Sequence, residues 1–140
     1  AYIYAMQEDY EKAMEWIHQF IAMASSSGPK AEGYLWKAFY YAWMGNMDLA
    51  LHSIERVEEI AESVRNDQIK ATSEWLRAWI YLDRGDIPAG IRYYERWFDF
   101  AKQNDPSRSA FYTGGYELYM GLADVRENRI ASAKERAGRL

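Results

Sequence analysis

The sequence predicts an all-helical protein, a solenoid of antiparallel helix pairs with about three and a half pairs in its 140 residues. Apolar residues recur at helical spacing along most of the chain, and short polar or glycine-containing turns interrupt them. A fixed arrangement of small and aromatic residues also returns, so that four copies are spaced by 37, 40 and 43 residues. Spacings of this size are typical of solenoids whose repeating unit is a helix pair.

The clearest unit surrounds Gly45, where two apolar helical patterns meet. Ala38 lies seven residues before this glycine, and Ala50 lies five residues after it. Small residues at both positions let two helix backbones approach each other, while larger residues beside them fill the remaining space. We therefore expect two antiparallel helices joined by a very short turn.

The turns carry stop and start signals for the helices. Gly45 and Gly85 can adopt the left-handed backbone conformation that ends a helix. Asp9, Asn46 and Asp86 each stand where the next helix should begin, and their side chains can accept hydrogen bonds from its first amides.

The same arrangement recurs around Gly85, Glu8 and Asn128. The residues at the two small positions are, in that order, Ala78 and Gly90, Ala1 and Ala13, and Gly121 and Ala133. The position four residues before the turn is a tyrosine in three units, but it is Asp124 in the fourth. Asp124 is the one residue at which the pattern fails.

The predicted helices differ according to their place in each pair. The second helices are amphipathic and are expected at about 9–24, 46–64, 86–102 and from 129 to the end. The first helices at about 30–44 and 69–84 are apolar around most of their circumference, so they must be contacted on more than one side. In the fourth unit, Gly114 and Gly115 mark either the start of the first helix or a close backbone contact, and Ser107 or Ser109 is a candidate cap.

Polar, glycine and proline residues separate the units, which we place at about 1–28, 29–67, 68–106 and 107–140 within a single domain. Ser25 to Pro29 is interpreted as the first linker. The chain starts without methionine and in what resembles the second half of a helix, so we expect it to be a fragment of a longer protein.

This pattern resembles the tetratricopeptide repeat family over essentially the whole chain. The residues that carry the resemblance are Ala38, Tyr41, Gly45 and Ala50; Ala78, Tyr81, Gly85 and Gly90; Tyr4 and Ala13; and Gly121 and Ala133. The chain departs from the family in its repeats, which are longer than the usual length of about 34 residues, and in lacking a closing proline. It also has Lys37 and Arg77 where the family has leucine. The resemblance implies a right-handed α-solenoid, as a long-repeat variant.

The resemblance also implies that the first helices line an inner, concave surface. The apolar residues carried over to that surface, which we predict to bind a partner, are Leu35, Phe39, Trp43, Trp75, Trp79, Leu82, Leu118 and Leu122. The other positions carried over are Tyr2, Ala5, Met6, Glu32, Ala42, Thr72, Asp83, Gly115, Val125 and Arg126. Trp43, Trp75 and Trp79 would be the anchors of an amphipathic helix or an extended peptide. In the alternative interpretation, these aromatic residues form the core between repeats or are covered by other parts of the parent protein.

Composition argues against several kinds of partner. The formal net charge is −4 and no basic cluster is present, which argues against nucleic acid and against an anionic membrane surface. No apolar run approaches the roughly 18 to 20 residues of a membrane span, and no signal peptide is visible. The chain has no cysteine, which leaves the compartment open, and we take the cytoplasm as the default location.

The residues with chemical potential do not form a catalytic pattern. His18 and His52 are the two histidines, and they occupy different positions of different helices, so a metal site would need further ligands. Glu58, Glu59 and Glu62 fall on the polar face of an amphipathic helix, where solvated charge is expected. We therefore predict no enzymatic activity, no catalytic residue, no metal and no cofactor.

The function predicted from these observations is a protein-interaction scaffold that takes a peptide or helix in an apolar groove. Two alternatives remain open. The chain could be a regulatory or sensor segment of a multidomain signalling or transcription protein, in which the groove recognises a small molecule or an internal helix. It could also be a self-association module that forms a homo-oligomer through its terminal or concave apolar faces.

Overall fold

The computed structural model describes residues 9–140, and within them the chain forms seven α-helices and no strand. The helices are α1 (Tyr10–Met23), α2 (Ser27–Trp43), α3 (Met47–Val64), α4 (Asp67–Arg84), α5 (Ile87–Asn104), α6 (Ser109–Arg126) and α7 (Ile130–Ala137), with a 3-10 turn at Pro106–Arg108. Helices that follow one another pack together: α1 with α2, α2 with α3, α5 with α6, and α6 with α7. The predicted all-helical class is confirmed.

Two glycines end helices in the predicted way. Gly45 has a φ of 76° and Gly85 a φ of 84°, both in the left-handed region. An added Cβ atom would meet nothing within 4 Å at either residue, so the backbone conformation, and not lack of space, requires glycine there. Asn128 occupies the equivalent turn with a φ of 60°, a conformation that asparagine tolerates better than most residues.

The three predicted caps are confirmed. The side chains of Asp9, Asn46 and Asp86 accept hydrogen bonds from the backbone amides three residues further on, at 3.3, 3.3 and 3.2 Å. A fourth cap lies at Asn66, whose side chain accepts from the amide of Ile69 at 3.1 Å. The sequence predicted only a polar break there, and Arg65 enters the left-handed region with a φ of 53° to end α3.

Two local predictions were wrong. Ser25 to Pro29 is not a linker throughout, because α2 already begins at Ser27 and holds Pro29 in its first turn, where the missing amide hydrogen has no helical partner to lose. Neither Ser107 nor Ser109 caps α6, which begins after Arg108 without a side-chain cap. The Ser107 hydroxyl instead donates to the Asp105 carboxylate at 2.5 Å.

The small residues lie where the helix pairs touch, as predicted. Ala50 and Ala78 are fully buried, and Gly90 is also buried. A Cβ atom at Gly90 would lie 2.5 Å from the Tyr119 hydroxyl oxygen and 3.1 Å from the Ala78 carbonyl oxygen, so α5 approaches the α4 backbone closely at this glycine. Gly115 lies inside α6, where a Cβ atom would be 3.2 Å from the Tyr94 hydroxyl oxygen. Gly115 therefore does not start the helix, and the group that approaches it is the Tyr94 side chain and not another backbone.

The chain divides into two compact units between Ser73 and Glu74, within α4. These two units are larger than the four predicted repeats, and 'first unit' and 'second unit' refer to them from here on. In the first unit, Ala13, Ile17 and Tyr40 form a buried cluster that joins α1 to α2. The core of the second unit is larger, and its buried members are Ala78, Leu82, Ile87, Tyr94, Tyr119, Met120 and Ala123. The single domain over 1–140 stays a prediction, and the predictions at Ala1, Tyr2, Tyr4, Ala5, Met6 and Glu8 lie outside the described residues.

Candidate functional site

In the first unit, the residues predicted to contact a partner lie on α2. Leu35 and Phe39 are half-buried, whereas Trp43 at the end of the helix is 50% exposed. The rings of Phe39 and Trp43 are one helical turn apart, with centroids separated by 6.0 Å. The buried ring of Tyr40 meets Trp43 edge-on at 5.3 Å. Trp43 therefore packs against two neighbouring rings, while half of its surface stays exposed to solvent.

In the second unit, Trp75 and Trp79 lie on one side of α4, as their spacing predicts, with ring centroids 6.5 Å apart. Both are half-buried and pack against the buried core. The Trp79 ring meets Tyr119 edge-on at 4.9 Å and Tyr94 at 6.3 Å. Its indole nitrogen is buried without a hydrogen-bond partner in the described part of the chain. Trp79 thus contributes mainly to packing among α4, α5 and α6.

The three predicted leucines of the second unit have different environments. Leu82 is 3% exposed and belongs to the buried core, so it offers almost no surface. Leu118 and Leu122 on α6 are 48% and 40% exposed. Together with Val125 they line a shallow cavity of about 180 Å³ between α6 and α7. Of the three predicted tryptophan anchors, Trp43 belongs to the first unit, and Trp75 and Trp79 belong to the second.

The contact between Asp83 and Arg126 supports the alignment of the third and fourth predicted repeats. Each lies two residues before its turn, and the Arg126 guanidinium donates to the Asp83 carboxylate at 3.3 Å. Both side chains are about half-exposed, so the ion pair adds little stability. The ion pair is informative about geometry, because it shows that equivalent positions of two successive first helices, α4 and α6, face each other within the second unit.

The two cations that replace the leucine of the resembled family both lie over aromatic rings. The Lys37 ammonium is 5.8 Å from the centroid of the Tyr41 ring, and the Arg77 guanidinium is 5.3 Å from that of Tyr93. Arg77 is only 9% exposed, and its charge is partly balanced by this cation–π contact. The long stems of these side chains cover apolar surface, as a leucine would.

A larger cavity, which the sequence analysis did not anticipate, lies between α1 and α2 in the first unit. It has a volume of about 320 Å³ and is lined by Trp16, Ile17, Phe20, Glu32, Gly33, Trp36 and Tyr40. Trp16, Phe20 and Trp36 are 52%, 44% and 38% exposed, so the cavity opens to solvent through aromatic rings. Phe20 lies at the edge of the buried stripe that Ala13 and Ile17 form on α1.

Sequence alone carried one signal for this cavity. Trp16 and Phe20 are four residues apart on α1, and Trp36 and Tyr40 are four residues apart on α2, so each pair occupies one side of its helix. This four-residue spacing does not indicate which side of each helix stays exposed to solvent.

Asp124, the residue that breaks the repeat pattern, is the centre of a polar network that joins α6 to α7. Its side chain is 4% exposed and accepts from Ser132 at 2.6 Å, from Arg129 at 2.8 Å and from Arg136 at 2.9 Å. Arg136 also donates to Glu117 at 3.1 Å. Burial raises the pKa of Asp124, but the hydrogen bonds from Ser132, Arg129 and Arg136 outweigh it and lower the pKa to about 2. Asp124 is therefore a fully ionised structural group.

Two tyrosines of the second core have strongly raised pKa values. Burial raises the pKa of Tyr94 to about 12. Burial, together with Tyr94 and Asp83, also raises the pKa of Tyr119. Their rings stack with centroids 4.0 Å apart. A phenol held in its neutral form serves as a packing and hydrogen-bonding group in this core.

Among residues 9–140, no helix has both the length and the hydrophobicity that crossing a bilayer requires. The same residues contain no group of three or more histidine, aspartate or glutamate side chains placed to hold a metal ion.

Comparisons with protein-family models, with curated proteins and with solved structures give no match. Membership of the tetratricopeptide repeat family therefore stays a prediction.

Proposed function

We propose that this chain is a protein-interaction module of the tetratricopeptide-repeat type, a right-handed solenoid that binds a peptide or helix in the cytoplasm. Its role would be binding and not catalysis. The helix pairs, the left-handed turns at Gly45 and Gly85 and the buried small residues at helix contacts support this proposal. They are the features that such a repeat requires.

The observation that carries the proposal is the exposure of large apolar residues on first helices. Trp43 on α2 and Leu118 and Leu122 on α6 expose between 40% and 50% of their surface. Exposed aromatic and aliphatic residues on a rigid helical support are typical of sites that bind a partner helix or an extended peptide. Trp43 would be the principal anchor, because tryptophan is enriched among the residues that dominate binding energy.

The test is a selection of helical and extended peptides from a displayed library, followed by affinity measurements on variants. Trp43→Ala should weaken binding of a selected peptide by about 30-fold or more, as expected for an aromatic anchor. Trp16→Ala is the matched control, because Trp16 lies in the same unit with a similar exposed fraction of 52% but outside the predicted wall. Equal losses for the two variants, or the absence of any selected binder, would contradict the proposal.

Self-association is the second candidate, favoured by apolar side chains that expose most of their surface. Met23 is 83%, Phe111 72% and Leu140 67% exposed. Such residues are typical of surfaces that a second copy covers. Sedimentation equilibrium should then give a mass above the 16.4 kDa of one chain, and Phe111→Ser should lower it if Phe111 lies in the contact.

A further inference from the structure

The cavity between α1 and α2 has the composition of a cation site and not that of a purely apolar pocket. Four aromatic side chains line it, two from each helix: Trp16, Phe20, Trp36 and Tyr40. Its volume of about 320 Å³ lies at the lower end of the range for small-molecule sites. The Trp36 and Tyr40 rings stack at 6.3 Å between centroids, so the wall that α2 provides is continuous.

Glu32 gives the cavity its charge. It is the only charged residue among the seven that line the cavity. Its side chain is exposed and makes no hydrogen bond or ion pair within residues 9–140. A neutral hydrocarbon would gain no electrostatic attraction from this exposed carboxylate. A cationic occupant satisfies the carboxylate instead.

The aromatic rings, like Glu32, favour a positively charged occupant. The face of each ring carries the negative part of its quadrupole, which attracts a cation placed near the ring centroid. Tryptophan is the strongest ring for this interaction, and the cavity contains two. The exposed rings of Trp16, Phe20 and Trp36 border the same partly enclosed space as the Glu32 carboxylate, so their attractions for a cation would add together.

We propose that this cavity binds an alkylated ammonium group, of the kind found in choline and in methylated lysine side chains. An unsubstituted ammonium is strongly hydrated and loses more on entering an aromatic site. Methyl groups spread the positive charge over an apolar surface that the rings can contact. The site shares Glu32 with the predicted concave surface, but the apolar residues Leu35, Phe39 and Trp43 of that surface do not line it.

Gly33 keeps the two helices close at this cavity. A Cβ atom there would lie 3.1 Å from the Phe20 ring and still closer to the Ile21 side chain. Replacing Gly33 would therefore displace Phe20 and change the shape of the cavity.

The experiment follows the six tryptophan indole N–H resonances of the ¹⁵N-labelled full chain by NMR during titrations. The ligands are choline, the trimethyllysine amino acid, unmethylated lysine and 3,3-dimethylbutanol, a neutral analogue of choline in which carbon replaces nitrogen. The resonances of Trp16 and Trp36 should shift with a trimethylated cation, whereas Trp43 should not. Binding of choline alone would point to a small-molecule ligand, and binding of trimethyllysine alone to a modified protein.

Two pairs of variants locate the site and identify its chemistry. Trp16→Leu should weaken cation binding by about 2- to 30-fold, the range for one cation–π contact, while Trp97→Leu in the second unit should not. Glu32→Gln should weaken it by about 2- to 5-fold and reduce its sensitivity to salt, while Glu62→Gln on α3 should not.

Circular dichroism and thermal unfolding of each variant establish that it is folded. Equal binding of the neutral analogue, equal effects of the control variants, or unchanged Trp16 and Trp36 resonances with every ligand would each overturn the proposal. None of these results depends on whether a peptide binds at Trp43.

Discussion

The Tyr119 hydroxyl of α6 donates a hydrogen bond of 2.8 Å to the carbonyl oxygen of Ala78 on α4. Tyr119 is fully buried, and its ring stacks on Tyr94 of α5. The bond passes beside Gly90, where a side chain would collide with the hydroxyl. One buried phenol thus joins three helices of the second unit.

Tyr119→Phe should lower the free energy of unfolding by about 0.5 to 1.5 kcal/mol, because it removes this hydrogen bond and keeps the ring. Urea unfolding followed by circular dichroism measures the change. Tyr112→Phe is the control, since the Tyr112 hydroxyl makes only a long, 3.3 Å bond to the partly exposed Asp105. A loss no larger than that of the control would mean that the buried bond contributes nothing specific.

Gly90→Ala should destabilise the chain by about 1 to 3 kcal/mol, because its Cβ atom would press on the Tyr119 hydroxyl and the α4 backbone. Combining it with Tyr119→Phe should cost less than the sum of the two changes, because the Cβ atom at position 90 no longer meets a hydroxyl group at position 119. Gly28→Ala is the matched control, since a Cβ atom there meets nothing within 4 Å. Strict additivity of the two changes would contradict the proposed collision.

Trp79→Ala should lower the free energy of unfolding by roughly 3 to 5 kcal/mol, as expected when a packed aromatic side chain is removed. Trp43→Ala, at the 50% exposed tryptophan of α2, should cost far less. If the two losses are equal and small, Trp79 stands in an open groove and not in the core. A large loss at Trp79 alone leaves Trp43, Leu118 and Leu122 as the main candidates for partner contact.

Asp124→Asn should release α7 from α6, because the variant leaves Arg129 and Arg136 without their shared carboxylate. Because Arg129 is half-exposed and Arg136 keeps its bond to Glu117, we expect a loss of about 1.5 to 3 kcal/mol, the range for hydrogen bonds to a charged group. Hydrogen exchange should show faster exchange of the α7 amides, with little change in α2 and α3 of the first unit. Glu135→Gln is the control, since its carboxylate is exposed and pairs only loosely with Arg139, at 3.8 Å.

Lowering the pH should weaken the contact between α6 and α7 in the unchanged chain, as Asp124→Asn does. The folded-state pKa of Asp124 is lowered to about 2, below the value of about 3.9 for an unfolded aspartate. Its stabilising contribution is therefore complete above about pH 4 and is lost as the pH falls through 2. The difference in stability between the unchanged chain and Asp124→Asn should shrink over that interval. A constant difference from pH 5 to pH 2 would mean that the ionised carboxylate is not the cause.

The sequence by itself determined the features that depend on the local backbone. Only a few residue types tolerate positive φ, and only short polar side chains cap helices well, so Gly45, Gly85, Asn46 and Asp86 could be assigned without a structure. The burial of Ala50 could be predicted for a similar reason, because a helix contact at that spacing requires a small residue.

Only the tertiary structure decided which apolar faces are covered, because the burial of an aromatic residue depends on neighbours that are distant in sequence. Trp16 and Trp79 are both tryptophans inside predicted helices, yet Trp16 lines an open cavity and Trp79 packs against Tyr119. Asp124 makes the same point for charge. It is a misfit in the repeat, and it becomes a buried anchor only because Arg129, Ser132 and Arg136 of the following segment converge on it.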